Sequence, residues 1–387
     1  MEQEKPQPST TTTTPTPSTT TTTTAATASK PRLTLSPLTR FHAGYFRISL
    51  SLCAQALLWR TLSSDATSTS AAALSDPLRV VLRHLPSAAF IILWSLALTT
   101  LSTLSLLFLL RCLLNPRSLR SEFSHQVGVN YLFAPWISWL LLLQSSPFLS
   151  PGTPTHFILL FAFSLPIVAL DVKIYGQWFT KGKRFLSVVA NPTSQMSVIG
   201  NLVAARAAAM SGWRECAVFL FSLGITHYLV LFVTLYQRLQ GSDRLPATLR
   251  PVFFLFVAAP SMACLAWDSI EGTFDTSSKM LFFLSLFIFA SLICRPALFK
   301  RSMKRFHVAW WAYPFPLTAL ALSSAEYARV VDGEVAHWLM LVLSVLSVLV
   351  TLALIVISAL NTNALFPRHD PFVSLPVTNS SGGPSST

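Results

Sequence analysis

Residues 295–318 read RPALFKRSMKRFHVAWWAYPFPLT, and this stretch decides how the rest of the chain is read. A basic turn with Arg295, Lys300, Arg301, Lys304 and Arg305 runs into an apolar segment in which Phe315 sits between Pro314 and Pro316. A proline ring inside a helix removes a backbone donor and clashes with the preceding turn. Two prolines around one aromatic ring therefore predict a deliberate break at membrane depth. Irregular backbone persists there only where it faces protein or a water-filled cavity. The segment is expected to line a pore, with Phe315 in it.

The composition around this stretch is that of a membrane protein. The chain has 387 residues, of which 52% are hydrophobic and 11% charged, with a mean hydropathy of +0.55. That excludes an ordinary soluble enzyme and predicts an all-α polytopic membrane protein. The net charge of +13 would suit a nucleic-acid partner, but the basic residues lie in short loops between apolar runs. Topology explains them, and nucleic acid is set aside as a partner. The five cysteines, Cys53, Cys112, Cys216, Cys264 and Cys294, are widely spaced and mostly inside apolar runs, so they form no disulfide framework and no CxxC pair. Residues 1–36 hold no apolar h-region and do not read as a signal peptide.

Three regions follow. Residues 1–36, rich in Thr, Ser and Pro, and residues 362–387 are expected to be disordered tails, because such composition buries too little apolar surface to offset its ordering entropy. Residues 37–361 are the membrane domain. They hold ten apolar segments, near 43–62, 87–113, 127–146, 156–174, 193–211, 213–237, 250–268, 279–296, 307–327 and 338–360. The loops after even-numbered segments carry fifteen basic residues and the other loops six. By the positive-inside rule both termini are expected in the cytoplasm.

The segments are of two kinds. Even-numbered ones, such as MLFFLSLFIFASLI, are apolar all round, whereas odd-numbered ones, such as SVIGNLVAARAAAMS and FLFVAAPSMACLAW, are rich in small residues and helix breakers. Small residues let helices approach closely. Gly44, Pro135, Gly200, Pro260 and the Pro314/Pro316 pair recur in odd segments, most of them one-third to halfway along. The architecture expected is five quasi-symmetric helical hairpins around a central pore, each with a broken inner helix and a regular outer one.

A pore of small residues and aromatic rings without carboxylates suits anions or neutral solutes. Ionisable residues in the odd segments are chiefly Arg47 and Arg206, with His42, His307 and Glu326 near the ends. Charge at membrane depth is costly and marks a functional candidate, so Arg206 and Arg47 are candidates for attracting an anion. Each can instead snorkel to the nearer surface. Phe315 as a gate competes with Phe315 as simple packing. The prolines would free the carbonyls of Trp310 and Ala312, acceptors that repel anions, so attraction is expected from the basic cytoplasmic loops. The histidines form no metal-binding set on one helix face, and no phosphate-binding glycine motif occurs, so no metal, cofactor or enzymatic activity is expected.

FHAGYFRISLSLCAQALLW, GVNYLFAP, KIYGQWFTKGKRFLSVVANPTSQMSVIGNLV, HYLVLFVTLYQRL, FLFVAAPSMACLAW and FHVAWWAYPFPLT occur in order. Together they resemble the slow-type (S-type) anion channels of plants, and more distantly the bacterial tellurite-resistance/dicarboxylate transporters. The resemblance runs from about Phe41 to Asn361. It implies ten spans in five hairpins, a pore lined by the odd helices, a trimer with one pore per subunit, and a gate at Phe315 within Tyr313-Pro314-Phe315-Pro316. It also places Tyr131 and Phe133 at the pore. Three departures mark this chain as similar to a short-tailed branch: no long regulatory N-terminal domain, Arg47 where a small or apolar residue is common, and Pro314 where Ser or Thr is frequent.

The function expected is a plasma-membrane anion channel subunit, passing chloride and nitrate, working as a homotrimer or with related subunits in the lipid bilayer, with a protein kinase as a further partner. A weakly conducting subunit that modulates a longer-tailed relative is the alternative. A proton-coupled transporter of small organic anions is less favoured, because no Asp or Glu stands midway along an odd segment.

Overall fold

Ten helices of eleven residues or more carry the chain, and no strand occurs among the described residues. The computed structural model describes residues 41–67, 87–124, 128–180, 190–238, 247–300, 302–304 and 306–362. The long helices are α1 (Phe46–Thr67), α2 (Ser87–Leu114), α3 (Ala134–Gln144), α4 (Pro154–Thr180), α5 (Gln195–Met210), α6 (Arg214–Arg238), α7 (Leu255–Glu271), α8 (Thr276–Ile293), α9 (Pro314–Val331) and α10 (Glu334–Leu360). Expected tail residues 1–36 and 363–387, and the loop residues Arg79, Arg83, Lys181, Lys183, Arg184, Arg244, Arg301 and Arg305, lie outside the described residues.

Among the described residues six stretches are long and apolar enough to cross a membrane, and the protein is a polytopic membrane protein. Five of them are the even-numbered helices, in which 17% to 39% of the crossing window is buried; the sixth, residues 250–271 with α7, is 78% buried. The remaining odd-numbered helices are shorter or more polar, and they too are buried. α5 is buried without interruption from Gln195 to Ala208.

Packing follows this division. α1 packs on α3, α3 on α5, α5 on α7, α7 on α9, and α9 returns to α1, so the five odd-numbered helices close a ring. Every even-numbered helix packs on the inner helix before it and on the inner helix after it, with α10 completing the circuit onto α1. The lipid-side residues of α10, such as Val342, Val345, Leu349 and Val356, are exposed, whereas Ser344, Ser347, Thr351 and Ser358 are buried. This is the reverse of a soluble helix: in hydrocarbon the hydroxyls turn inward because only protein can bond them.

Those hydroxyls join helices. Gln55 Nε2 of α1 lies within hydrogen-bonding distance of Thr318 Oγ1 of α9 at 3.0 Å and of Ser347 Oγ and Thr351 Oγ1 of α10 at 2.6 and 2.9 Å, and its two N–H groups serve two of these three at a time. Ser49 and Ser138 share a hydrogen bond across α1 and α3 at 3.3 Å, and Ser261 and Ser285 one across α7 and α8 at 2.5 Å. The described connections α3–α4, α5–α6, α7–α8 and α9–α10 each contain one residue in the left-handed region: Gly152, Gly212, Gly272 and Asp332. At Gly212 the turn is only Ser211–Trp213, and its φ of 82° is reached there without a Cβ penalty.

Candidate functional site

Each inner helix is preceded by a short helical segment, a tighter 3-10 turn in four cases and a single α-helical turn before α3. Ala43–Tyr45 leads into α1, Gly128–Tyr131 precedes α3, Pro192–Ser194 precedes α5, Ala247–Phe254 runs into α7, and Val308–Ala312 precedes α9. The sequence explains them locally. His42 Nδ1 accepts from the Gly44 N–H at 3.0 Å, and a Cβ on residue 44 would come within 2.6 Å of the His42 ring, so the turn requires glycine. Asn191 Oδ1 accepts from the Thr193 N–H at 2.9 Å, and Asn130 Nδ2 donates to Thr193 Oγ1 at 3.1 Å, tying two of the turns together.

The breakers do not all act at the depth expected. Pro135 lies in the first turn of α3, and Pro314 and Pro316 in the first turn of α9. There a proline costs little, because the first N–H groups of a helix have no intrahelical partner. The expectation of a helix broken midway merged the turn Val308–Ala312 with the helix that follows it. The Trp310 carbonyl, expected to be freed, accepts from the Tyr313 N–H at 3.0 Å. Gly200 and Pro260 are the breakers inside helices. A Cβ on Gly200 would stand 3.3 Å from both Ile167 and Phe133, so glycine permits close approach of α3 and α4 to α5.

A cavity of about 10 Å³, roughly one water's worth of space, is lined at the start of every inner helix. Arg47 and Leu50 come from α1, Tyr131 from the turn before α3, and Met196 from α5. Val252 comes from the turn before α7 and Leu255 from its first residue, and Trp311 and Ala312 come from the turn before α9 and Phe315 from its start. Phe315 is 1% exposed. Arg47 is buried, its Nε donates to the Gly44 carbonyl at 2.8 Å, and its guanidinium carbon lies 4.9 Å from the Tyr131 ring centroid. Arg47 is thus held across the cavity end of the ring, with its charge against an aromatic face.

Of the residues singled out from sequence, Phe315, Arg47 and Tyr131 come together at this cavity, with Gly44 beside Arg47. Phe133 is buried against Gly200 and is not among the lining residues. Arg206 lies toward the other end of α5, buried, with Nη1 donating to Gln144 Oε1 at 3.1 Å. Sequence reading missed Leu50, Met196, Val252, Leu255, Trp311 and Ala312. One signal was available: Arg47, Met196 and Phe315 are each the second residue of their helix, and aligning the turns would have superposed them.

A buried carboxylate was also missed. Asp171 of α4 accepts from Ser197 Oγ and Asn201 Nδ2 of α5, both at 2.6 Å, and Ser197 shares a further hydrogen bond with His227 Nδ1 of α6 at 3.1 Å. It stands on an even-numbered helix and away from the cavity lining, so it braces α5 from behind. An acid inside the apolar run IVALDVKIYG was its sequence signal.

Comparison with known proteins matches this arrangement to ion channels. A profile of the voltage-dependent anion channel family SLAC1 matches residues 40–359. The S-type anion channel SLAH1 of Arabidopsis thaliana is 57% identical over 343 residues, covering 89% of this chain and 87% of that protein. S-type anion channel SLAH4 of the same plant is 54% identical over 340 residues, covering 88% and 89%. The guard cell S-type anion channel SLAC1 is 39% identical over 336 residues, covering 86% of this chain but only 58% of that protein. The chain therefore belongs to the SLAC1 family of anion channels and is not an enzyme.

Proposed function

We propose that this chain is a plasma-membrane channel subunit that passes chloride and nitrate passively along the axis of the inner ring. In this reading ten spans form five quasi-symmetric hairpins, residues 1–36 and 362–387 are cytoplasmic tails, and three subunits assemble with one pore each. Phe315 is the gate. The observation that carries the reading is the cavity itself, which draws lining residues from all five inner-helix starts, Phe315 among them, and has space for about one water. Rotation of the ring out of the axis opens the path, and selection follows ease of dehydration, because no dense set of donors lines the cavity.

The test is Phe315→Ala expressed in oocytes beside wild type, with surface protein quantified. Anion current is expected to rise about tenfold or more, since a phenylalanine blocking a pore of this width contributes at least ~1.4 kcal/mol of barrier. A mutant that reaches the surface and conducts no better than wild type removes Phe315 as the principal barrier.

Arg47 supports a second reading. A guanidinium at the level of the gate fills space that an aliphatic or small residue would leave open, and favours a subunit that conducts little alone and alters gating in a heteromer. Recording the chain alone and with a longer-tailed relative, in chloride and in nitrate, separates the two: large current from the chain alone sinks the modulatory reading. A protein kinase acting on the tails is part of either proposal.

A further inference from the structure

The inner ring carries a second polar level about three to four helical turns beyond the cavity. Each inner helix contributes one residue to it: Arg60, Gln144, Arg206, Asp268 and Glu326. Arg60 Nη1 donates to the carbonyls of Gln144 and Ser146 at 2.9 and 2.7 Å, which fixes α1 to the end of α3. The Gln144 side chain bonds α5 in both directions: Oε1 accepts from Arg206 Nη1 at 3.1 Å, and Nε2 donates to the Val203 carbonyl at 3.2 Å. Arg206 lies within electrostatic reach of Glu326, Asp268 and Arg60. Glu326 is paired with Arg329 at 2.7 Å.

The level is divided. Arg60, Gln144, whose amide orients Arg206, and Arg206 itself occupy α1, α3 and α5, and both carboxylates, one of them paired with Arg329, occupy α7 and α9. Arg206 is buried, yet its Nε–H has no hydrogen-bond partner among the described residues. A buried guanidinium with an unused donor, held by a neutral amide instead of a carboxylate, retains attraction for an anion.

We propose that this level is a second anion-contact site for monovalent inorganic anions, at the extracellular mouth. Arg206 is the contacting residue, Gln144 positions it, and Asp268 and Glu326 weaken the site enough for the anion to leave. The site rests on the channel reading above and is independent of the Phe315 gate. Passage needs both attraction and release, and the divided ring supplies one on each side.

The test has two arms. In the first, Glu326→Cys at the cell surface is exposed to a membrane-impermeant maleimide, with wild type reporting the reactivity of the native cysteines. Labelling from outside that slows in nitrate is expected, and a residue at the surface that does not label overturns the site. In the second, currents are recorded in the Phe315→Ala background. Arg206→Gln should lower anion current about two- to fivefold and Asp268→Asn raise it by a similar factor, the scale of one unit charge at a water-filled mouth. Arg206→Lys should retain most of the current. Unchanged currents in both charge variants overturn the proposal. If Phe315→Ala itself is silent, the gate reading falls, and nitrate-sensitive labelling still decides the site.

Discussion

α5 and α10 are both helices of one membrane domain, and they are built on opposite rules. α10 has a mean hydropathy of 3.0 over its best window, faces lipid with Val and Leu, and turns Ser344, Ser347, Thr351 and Ser358 inward. α5, QMSVIGNLVAARAAAM, is shorter, carries Asn201 and Arg206, and is buried on every side over most of its length. Hydropathy therefore picks out the five outer helices and, with them, the buried stretch that contains α7. The other inner helices are recognised by small residues, by donors that find partners, and by their failure to read as strongly apolar.

Three substitutions and one lipid-side control probe that contrast. The largest effect is expected at Gly200→Val in α5, where even one added carbon stands 3.3 Å from Ile167 and Phe133. Overpacking there should cost about 1–3 kcal/mol, seen as a lower melting temperature of the detergent-purified protein. Exposed Val345→Ala on α10 should change the same measurement by less than about 0.5 kcal/mol. Equal effects at the two positions would break the distinction between inner and outer helices.

Gln55→Leu comes next. It removes the two hydrogen bonds that the amide can donate at once among its three hydroxyl neighbours on α9 and α10. Interhelical hydrogen bonds in membranes average about 0.6 kcal/mol each, so a loss of about 1–2 kcal/mol is expected. A neutral result in thermal unfolding would mean that the inward hydroxyl stripe of α10 does not hold the ring closed.

Apart from the Val345→Ala control, the smallest effect is expected at the α7–α8 turn. Asp275 caps α8 by accepting from the Ser278 N–H at 2.9 Å and also accepts from Trp267 Nε1 at 3.1 Å. Slight burial pushes its carboxyl up, but these hydrogen bonds outweigh that and hold it below the usual carboxylate range. Its stabilisation is therefore present above that range and lost only as pH falls through the depressed value. Asp275→Ala should cost about 0.5–1 kcal/mol near neutral pH, and the gap between mutant and wild-type melting should close in strong acid.

Much of the fold was legible because bilayer length and all-round apolarity are physical requirements on lipid-facing helices. The segments read at 87–113, 156–174, 213–237, 250–268, 279–296 and 338–360 fall on the six described stretches long and apolar enough to cross a membrane, with edges moved by several residues. Arg47 and Phe315 were legible at the site because a charge at depth and a proline-flanked ring are rare. Met196, Leu50 and Val252 were not, because an apolar residue facing a narrow pore looks like one facing lipid. Pro314 was misplaced for a different reason: composition does not distinguish a tight turn from the first turn of the helix it feeds. Asp171 was not legible because its partners Ser197 and Asn201 lie on a different helix, 26 and 30 residues further along the chain.

All five inner helices begin at the cavity and run the same way from it. Each peptide unit is a small dipole, and a helix sums them to roughly half an elementary positive charge at its start. Five such starts around one narrow passage give the backbone itself a standing positive potential there. The preference for anions is thus carried partly by groups that no substitution deletes. An Arg47→Met channel should remain anion-selective, and reversing selectivity would require adding acids to several helix starts at once.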